Sequence, residues 1–355
     1  MTRPPSDRRI TGRSGSFALP AYPNVDYSLL TASGRIVEGA LSVVSGEVVV
    51  VIVSAEQRAF GETLATVAQT VNAKPQLLIL EDHGARPHDG LPPAIAEALA
   101  QAQASVFCAD SRPDEKSMRL ALLGLTTKLG IRHAHLVGVT KRSLLAGFSA
   151  EPRRLAEAAR VVRVRARPSS VIRVKSPAGT DLTVRCDPSC RWSDHTGPIR
   201  AGRWENLPAG EVLTCPADVS GVYVATASMS SSFGTQRDAL RHCPIRLWFE
   251  HGVLKRMESP EEGLCPKLWQ KIRAAPNADR VGLLLIGTNV GVHEPCGDII
   301  TDKTLPGAHL WLGKTLAEET GARWSADVWV AFTAEGTDVD IDDVPLIRQG
   351  RFVVL

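Results

Sequence analysis

Glu211 stands at the end of a tight turn in NLPAGEVLT (206–214), one residue after a glycine and at the mouth of an apolar run. A strand start accepts almost any polar residue, so a carboxylate set behind Pro-Ala-Gly is either incidental or aimed by the turn. Downstream lie His251, His293, His309 and Asp327, with His195 upstream. Neutral imidazole and carboxylate are good ligands for zinc, iron and manganese, so a divalent-metal site is one reading of this set. Spacing alone does not bring the groups together. HEPCGDIITDK and GAHLWLG lack the H-x-x-x-H pattern that puts two ligands on one helix face. The other reading makes each histidine a separate surface or core residue.

Other polar stretches carry less chemistry. The serines of ATASMSSSFGT (225–235) lack the G-x-S-x-G elbow of a nucleophile and read as a polar loop. EGTDVDIDD (335–343) lacks the central glycine and final glutamate of a calcium loop and reads as a solvated turn. Asp110, Asp114 and Glu115 follow a strand, where α/β proteins place ligand loops, but a helix start enriched in acids explains them equally well. Cys186 and Cys190 are four apart with no second pair at zinc spacing.

The elements that must hold these residues fall into two textures. From Leu41 the chain alternates apolar strand-length runs (VVVVIV, QLLIL, SVFCA, HLVGV) with helical patterns at 58–73, 92–103, 117–130 and 151–162. Continuous β-branched runs suit strands buried on both faces, and the alternation predicts an α/β domain with an open, mostly parallel sheet. No G-x-G-x-x-G follows the first strand, so a dinucleotide site is not supported and the domain reads as scaffold. After about residue 167 short strands punctuated by Gly, Pro and Asp predict an α+β domain that would carry the metal or substrate site, with helices near 261–275 and 316–321. The expected organisation is a flexible basic arm over 1–30, the scaffold domain over 31–167 and the site domain over 168–355.

The bulk numbers agree with a globular protein. The chain has 355 residues, 44% of them apolar, and Lys plus Arg exceeds Asp plus Glu by only three, 41 against 38. That balance, with 5% aromatics, argues against a nucleic-acid partner. No apolar run reaches bilayer length, and MTRPPSDRRITGRSG lacks a signal-peptide core, so the expectation is no membrane partner and a cytoplasmic location. Seven scattered cysteines do not suggest a disulfide framework.

In order and spacing, SPAGTDLTVRC (176–186), NLPAGEVLT (206–214), IGTN (286–289) and DKTLPGAHLWLG (302–313) resemble the aminopeptidase T/aminopeptidase S family of metallopeptidases, including its 2,5-dihydroxypyridine 5,6-dioxygenase-like branch. The resemblance covers about residues 40–335. It implies Glu211 as a metal ligand or catalytic base and His309 as a ligand. The polar residues of these motifs, Asn206, Asn289, Asp302 and Lys303, become the expected substrate contacts. A later H-x-D pair reads S-A-D here, so Asp327 matches while Ser325 stands where histidine is expected. A glutamate expected just before the IGTN segment is replaced by Leu283 or Leu284.

With two ligands missing, a two-metal centre is not expected. The dioxygenase-like branch implies one iron on two histidines and a carboxylate, for which His293, His309 and Asp327 are the candidates. The resemblance further implies a homodimer through the second domain. Three functions follow. One is a divergent metal-dependent hydrolase acting on an amino-acid, peptide or amide substrate through one divalent zinc, manganese or iron(II). The second is a mononuclear non-heme iron ring-cleaving dioxygenase. The third is a metal-free peptide- or small-molecule-binding descendant, in which a buried Glu211 needs a cation beside it, with Arg200 and Arg203 as candidates.

Overall fold

The run VVVVIV forms the strand Val48–Val53, and its alternation divides it between two cores. Val49, Val51 and Val53 pack with Phe60, Leu64 and Ala68 of the helix Arg58–Thr70. Val50 and Ile52 face the other way, onto Ile95, Leu99, Met118 and Leu122 of the helices Pro93–Leu99 and Lys116–Lys128. A strand covered on both sides favours an apolar residue at every position, and each such side chain contributes about 1.5–3 kcal/mol by burial. The computed structural model describes residues 22–166, 170–231, 236–237 and 240–355.

The first sheet is parallel throughout, in the order Lys74–Ile79, Val48–Val53, Ala104–Ala109, Arg132–Val137, Trp204–Asn206. Its fifth strand comes from beyond the expected domain boundary, and Ile199, Leu207 and Ala209 enter the same core. Conversely, the helix Pro152–Arg165 sends Ala159 and Val162 into the core of the second half. The division of the chain is therefore not a division of space at residue 167. Packing also begins before residue 31. Asn24 donates to Glu62 from its backbone N–H at 2.6 Å and its side chain at 3.0 Å, and Leu29 is buried. The arginines at positions 3 to 13 and part of RARPSS lie outside the described residues.

The second half is a sandwich of two mainly antiparallel sheets. One runs Val253–Glu258, Ile245–Glu250, Pro216–Ala225, Asp181–Cys186, Val171–Lys175, Asp338–Ile341, Val344–Arg348, Arg351–Phe352. The other, which carries the candidate site, runs Gln236–Arg237, Met229–Ser231, Val330–Phe332, Gly307–Leu312, Val281–Gly287, Glu211–Thr214, Ser193–His195. Period-two alternation sorts the site sheet into faces. Val212, Leu284, Ile286, Ala308, Leu310 and Phe332 turn into the sandwich, where Tyr223 donates its hydroxyl to the Ala308 carbonyl at 3.0 Å. Leu213, Leu283 and Leu285 form a separate apolar cluster on the opposite face.

Two expected loops contain strands. Met229–Ser231 pairs with Val330–Phe332, while residues 232–235 of the serine run lie outside the described set. Asp338–Ile341 of the acidic run is a strand, and Asp342 caps the neighbouring strand by accepting from the Val171 N–H at 2.8 Å. None of the described helices is long and apolar enough to cross a membrane.

Candidate functional site

The NLPAG turn is held from both sides. Gly210 has φ +129°, and a Cβ there would lie 2.7 Å from that of Asn289. Asn289 fastens the turn, donating its amide to the Ala209 carbonyl at 3.0 Å and to the Gly147 carbonyl at 2.8 Å. Gly147 in turn lies so close to Pro208 that an added Cβ would fall 2.2 Å from the ring. Only glycine tolerates both approaches. The turn therefore aims Glu211 inward, 1% exposed, and Asn289 is a brace between the two halves.

Register and alternation decide what Glu211 meets. Glu211 lies opposite Gly287, and Leu285 lies between Leu213 and His309. Parity thus places Glu211, Leu213, Leu283, Leu285 and His309 on one face. Of the two leucines at the expected glutamate position, Leu283 is the one on that face; Leu284 points into the sandwich.

The Lys303 ammonium donates to Glu211 Oε1. His195 Nδ1 lies 3.3 Å from the same oxygen and 3.5 Å from Glu205, while His195 Nε2 meets Glu319 at 2.8 Å. One imidazole and one ammonium are thus ringed by three carboxylates. Burial alone would pull His195 down, but hydrogen bonds to Glu211 and Glu319 raise it to about 10, so it is an imidazolium at neutral pH. Burial pushes the Glu211 carboxyl up; Lys303 and His195 outweigh it and hold it below the usual carboxylate range. Glu205 is raised, by burial first. Glu211 Oε2 is buried without a hydrogen-bond partner.

His309 is fully buried and neutral. Its Nε2 donates to the Leu305 carbonyl at 2.9 Å and its Nδ1 accepts from the Ala334 N–H at 3.3 Å. Burial pulls it down to about 4. His293, Ser325 and Asp327 are exposed. Asp302 accepts from the Cys296 N–H at 2.6 Å and the Gly297 N–H at 3.3 Å, and burial raises its carboxyl to about 7. Asn206 is half-buried at the end of the first sheet's fifth strand. Arg200 and Arg203 are exposed; the cation at Glu211 is Lys303.

The structure thus brings Glu211, Lys303 and His195 together and leaves His293 and Asp327 at the surface. Glu205 and Glu319 were missed by sequence reasoning. Glu205 offered a signal, since it lies six residues before Glu211 in WENLPAGE; Glu319, 124 residues from His195, offered none.

A cleft of about 670 Å³ opens at the C-terminal edge of the parallel sheet, and Glu211 is not among its lining residues. Ser111 and Val137 line it from strand ends, Lys116 and Arg119 from one helix, and Lys267 and Leu268 from Leu264–Arg273. Asp298, also in its wall, caps the short helix Ile299–Asp302 that ends at Lys303.

Two solved structures share this architecture of parallel sheet and antiparallel sandwich. Wild-type AmpT from Thermus thermophilus superposes with a TM-score of 0.67 at 19% identity, over 92% of this chain and 99% of that one. 2,5-Dihydroxypyridine dioxygenase from Pseudomonas putida KT2440 follows with a TM-score of 0.60 at 18% identity, over 92% and 97%. The resemblance carried by the motifs therefore holds at the level of fold. No family profile and no curated protein matches the sequence.

The resemblance implies a divalent metal, and the donors do not fit one. Glu211 Oε1 is held by an ammonium, both ring nitrogens of His309 are taken by backbone groups, and Leu283 supplies no donor. No group of three or more His, Cys, Asp or Glu among the described residues stands where it could hold a metal ion.

Proposed function

We propose that this chain is a metal-free binding protein for a small organic molecule or peptide, built on a fold it shares with a peptidase and a dioxygenase. The observation that carries the reading is the Lys303 ammonium on Glu211 Oε1, an internal cation at the carboxylate the motif resemblance assigns to metal. A buried carboxylate needs a positive partner, and Lys303 supplies it without coordination chemistry. The ligand belongs in the cleft between the helices Lys116–Lys128 and Leu264–Arg273, whose size suits such a molecule and whose position matches the usual ligand site of parallel sheets. A second reading, a hydrolase, is favoured by one observation: Glu211 Oε2 is buried and free to accept, as a general base must be.

Metal content separates the two. Tag-free protein, purified anaerobically and incubated with zinc, manganese or iron(II), should retain far less than one equivalent by mass spectrometry. About one equivalent, lost in His309→Ala, would sink the binding reading and restore the hydrolase or oxygenase.

A further inference from the structure

The cleft between the helices Lys116–Lys128 and Leu264–Arg273 is lined by more uncommitted positive charge than negative. Lys116 and Arg119 stand three apart on one helix and so share a face, and Lys267 comes from the other. Arg119 is half-buried. Its Nη1 donates to the Arg112 carbonyl at 2.8 Å, which leaves most of the guanidinium fork unspent among the described residues. Two carboxylates within reach of its charge, Glu115 and Asp110, are already paired with Arg86. Of the acids in the cleft wall, Asp298 accepts from the Ser143 hydroxyl and from the Thr301 N–H at 2.8 Å. Glu261 and Lys271 each have partners, which leaves the exposed Glu262 against Lys116, Arg119 and Lys267. The cleft has an apolar side as well. Val137, Ile300 and Trp329 are half-buried in its lining, and the Trp329 indole stacks on Trp311 with ring centroids 5.5 Å apart.

Resting on the reading that this cleft is the ligand seat, we propose that it takes a small organic anion, a carboxylate or phosphate head on an apolar body. Arg119 receives the head on its unspent N–H groups, whose fork matches two oxygens of a carboxylate or phosphate. Lys116 and Lys267 hold the head as point charges, and the body lies against Val137, Ile300 and Trp329. A neutral ligand would cover the guanidinium without pairing it, and a cationic one would add to the excess. Burial already pulls the Arg119 guanidinium down, and the carboxylates of Glu115, Asp114 and Asp110 do not restore it.

The test is calorimetric titration of the full chain with benzoate, phenyl phosphate, benzyl alcohol and benzylamine. Expected is binding of at least one of the two anions about tenfold tighter than benzyl alcohol, with benzylamine weakest; the tighter anion identifies the head. Arg119→Gln should weaken that anion about tenfold, Lys267→Gln less, while Lys128→Gln, at the far end of the same helix, should leave it unchanged. Neither anion bound, benzyl alcohol or benzylamine bound as tightly as the anions, or affinity unchanged in both Arg119→Gln and Lys267→Gln would overturn the proposal. Should Arg119→Gln fail to fold, Lys267→Gln at its exposed position and the wild-type ranking decide. Metal content is read on the same protein. A metal-free chain that takes benzyl alcohol as well as benzoate loses only this proposal, and one equivalent of metal with anion binding intact loses only the metal-free reading.

Discussion

Two buried ion clusters sit in opposite halves of the molecule and are finished to different degrees. At Arg86, Nε and Nη2 donate to the two oxygens of Glu115 at 2.8 and 2.6 Å, and Glu115 also accepts from the His88 N–H at 3.2 Å. The remaining nitrogen, Nη1, reaches Asp110, and Glu81 at 3.4 Å. The Arg86 side chain is 2% exposed, that of Glu115 not at all, and both carboxylate oxygens are used. At Glu211, Oε1 takes Lys303 and His195 while Oε2, just as buried, accepts nothing. Burial is the same at both; saturation is not. A saturated cluster rigidifies a fold, whereas an unsaturated one retains capacity for a proton or a ligand.

The largest effect expected is from Arg86→Met, which strands Glu115 and should cost about 3–5 kcal/mol in urea unfolding. Lys303→Met should cost less, about 3 kcal/mol, because His195 still faces Glu211; a larger loss than Arg86→Met would reverse the comparison. Removing both partners sharpens it: Glu211→Leu with Lys303→Met should come within about 1 kcal/mol of wild type, since an apolar pair replaces a buried ionic one at little net cost.

The next effect is in pH. His195 is raised to about 10, so its contribution is complete below its ordinary value near 6.5 and is lost as pH climbs toward 10. Unfolding free energy should therefore fall between those limits, and His195→Gln should flatten the decline. Smallest of all, His293→Ala and Asp327→Ala, at exposed positions, should each change stability by less than about 0.5 kcal/mol and leave metal content unaltered.

Much of the first sheet was legible because Val48–Val53 is an unbroken β-branched run, short apolar runs recur at the next three strands, and the helices between them are periodic. The short helix Lys141–Gly147 has too few turns to show a period. At the site, the turn before Glu211 was legible because glycine and proline act locally. The identity of the partner was not: Lys303 is 92 residues away and arrives through the meeting of a strand and a helix end. His309 shows the opposite failure. Motif position marked it as a ligand, yet its two backbone hydrogen bonds depend on loops from Leu305 and Ala334 that no local pattern announces. Ser325, expected as a departure from the H-x-D pair, lies exposed with its hydroxyl accepting from the Thr315 N–H at 3.4 Å.

The strand Trp204–Asn206 has a consequence for how the molecule is made. It pairs alongside Arg132–Val137 as the outermost strand of the first sheet, yet it is synthesised after three strands of the sandwich, Val171–Lys175, Asp181–Cys186 and Ser193–His195. On the ribosome, where chains emerge from the N-terminus and domains fold as units, the first half must wait with His133 and His135 on an open edge. The two halves are thus committed to fold as partners in time, and a ribosome stalled between residues 186 and 204 would present an unfinished sheet to every chaperone in reach.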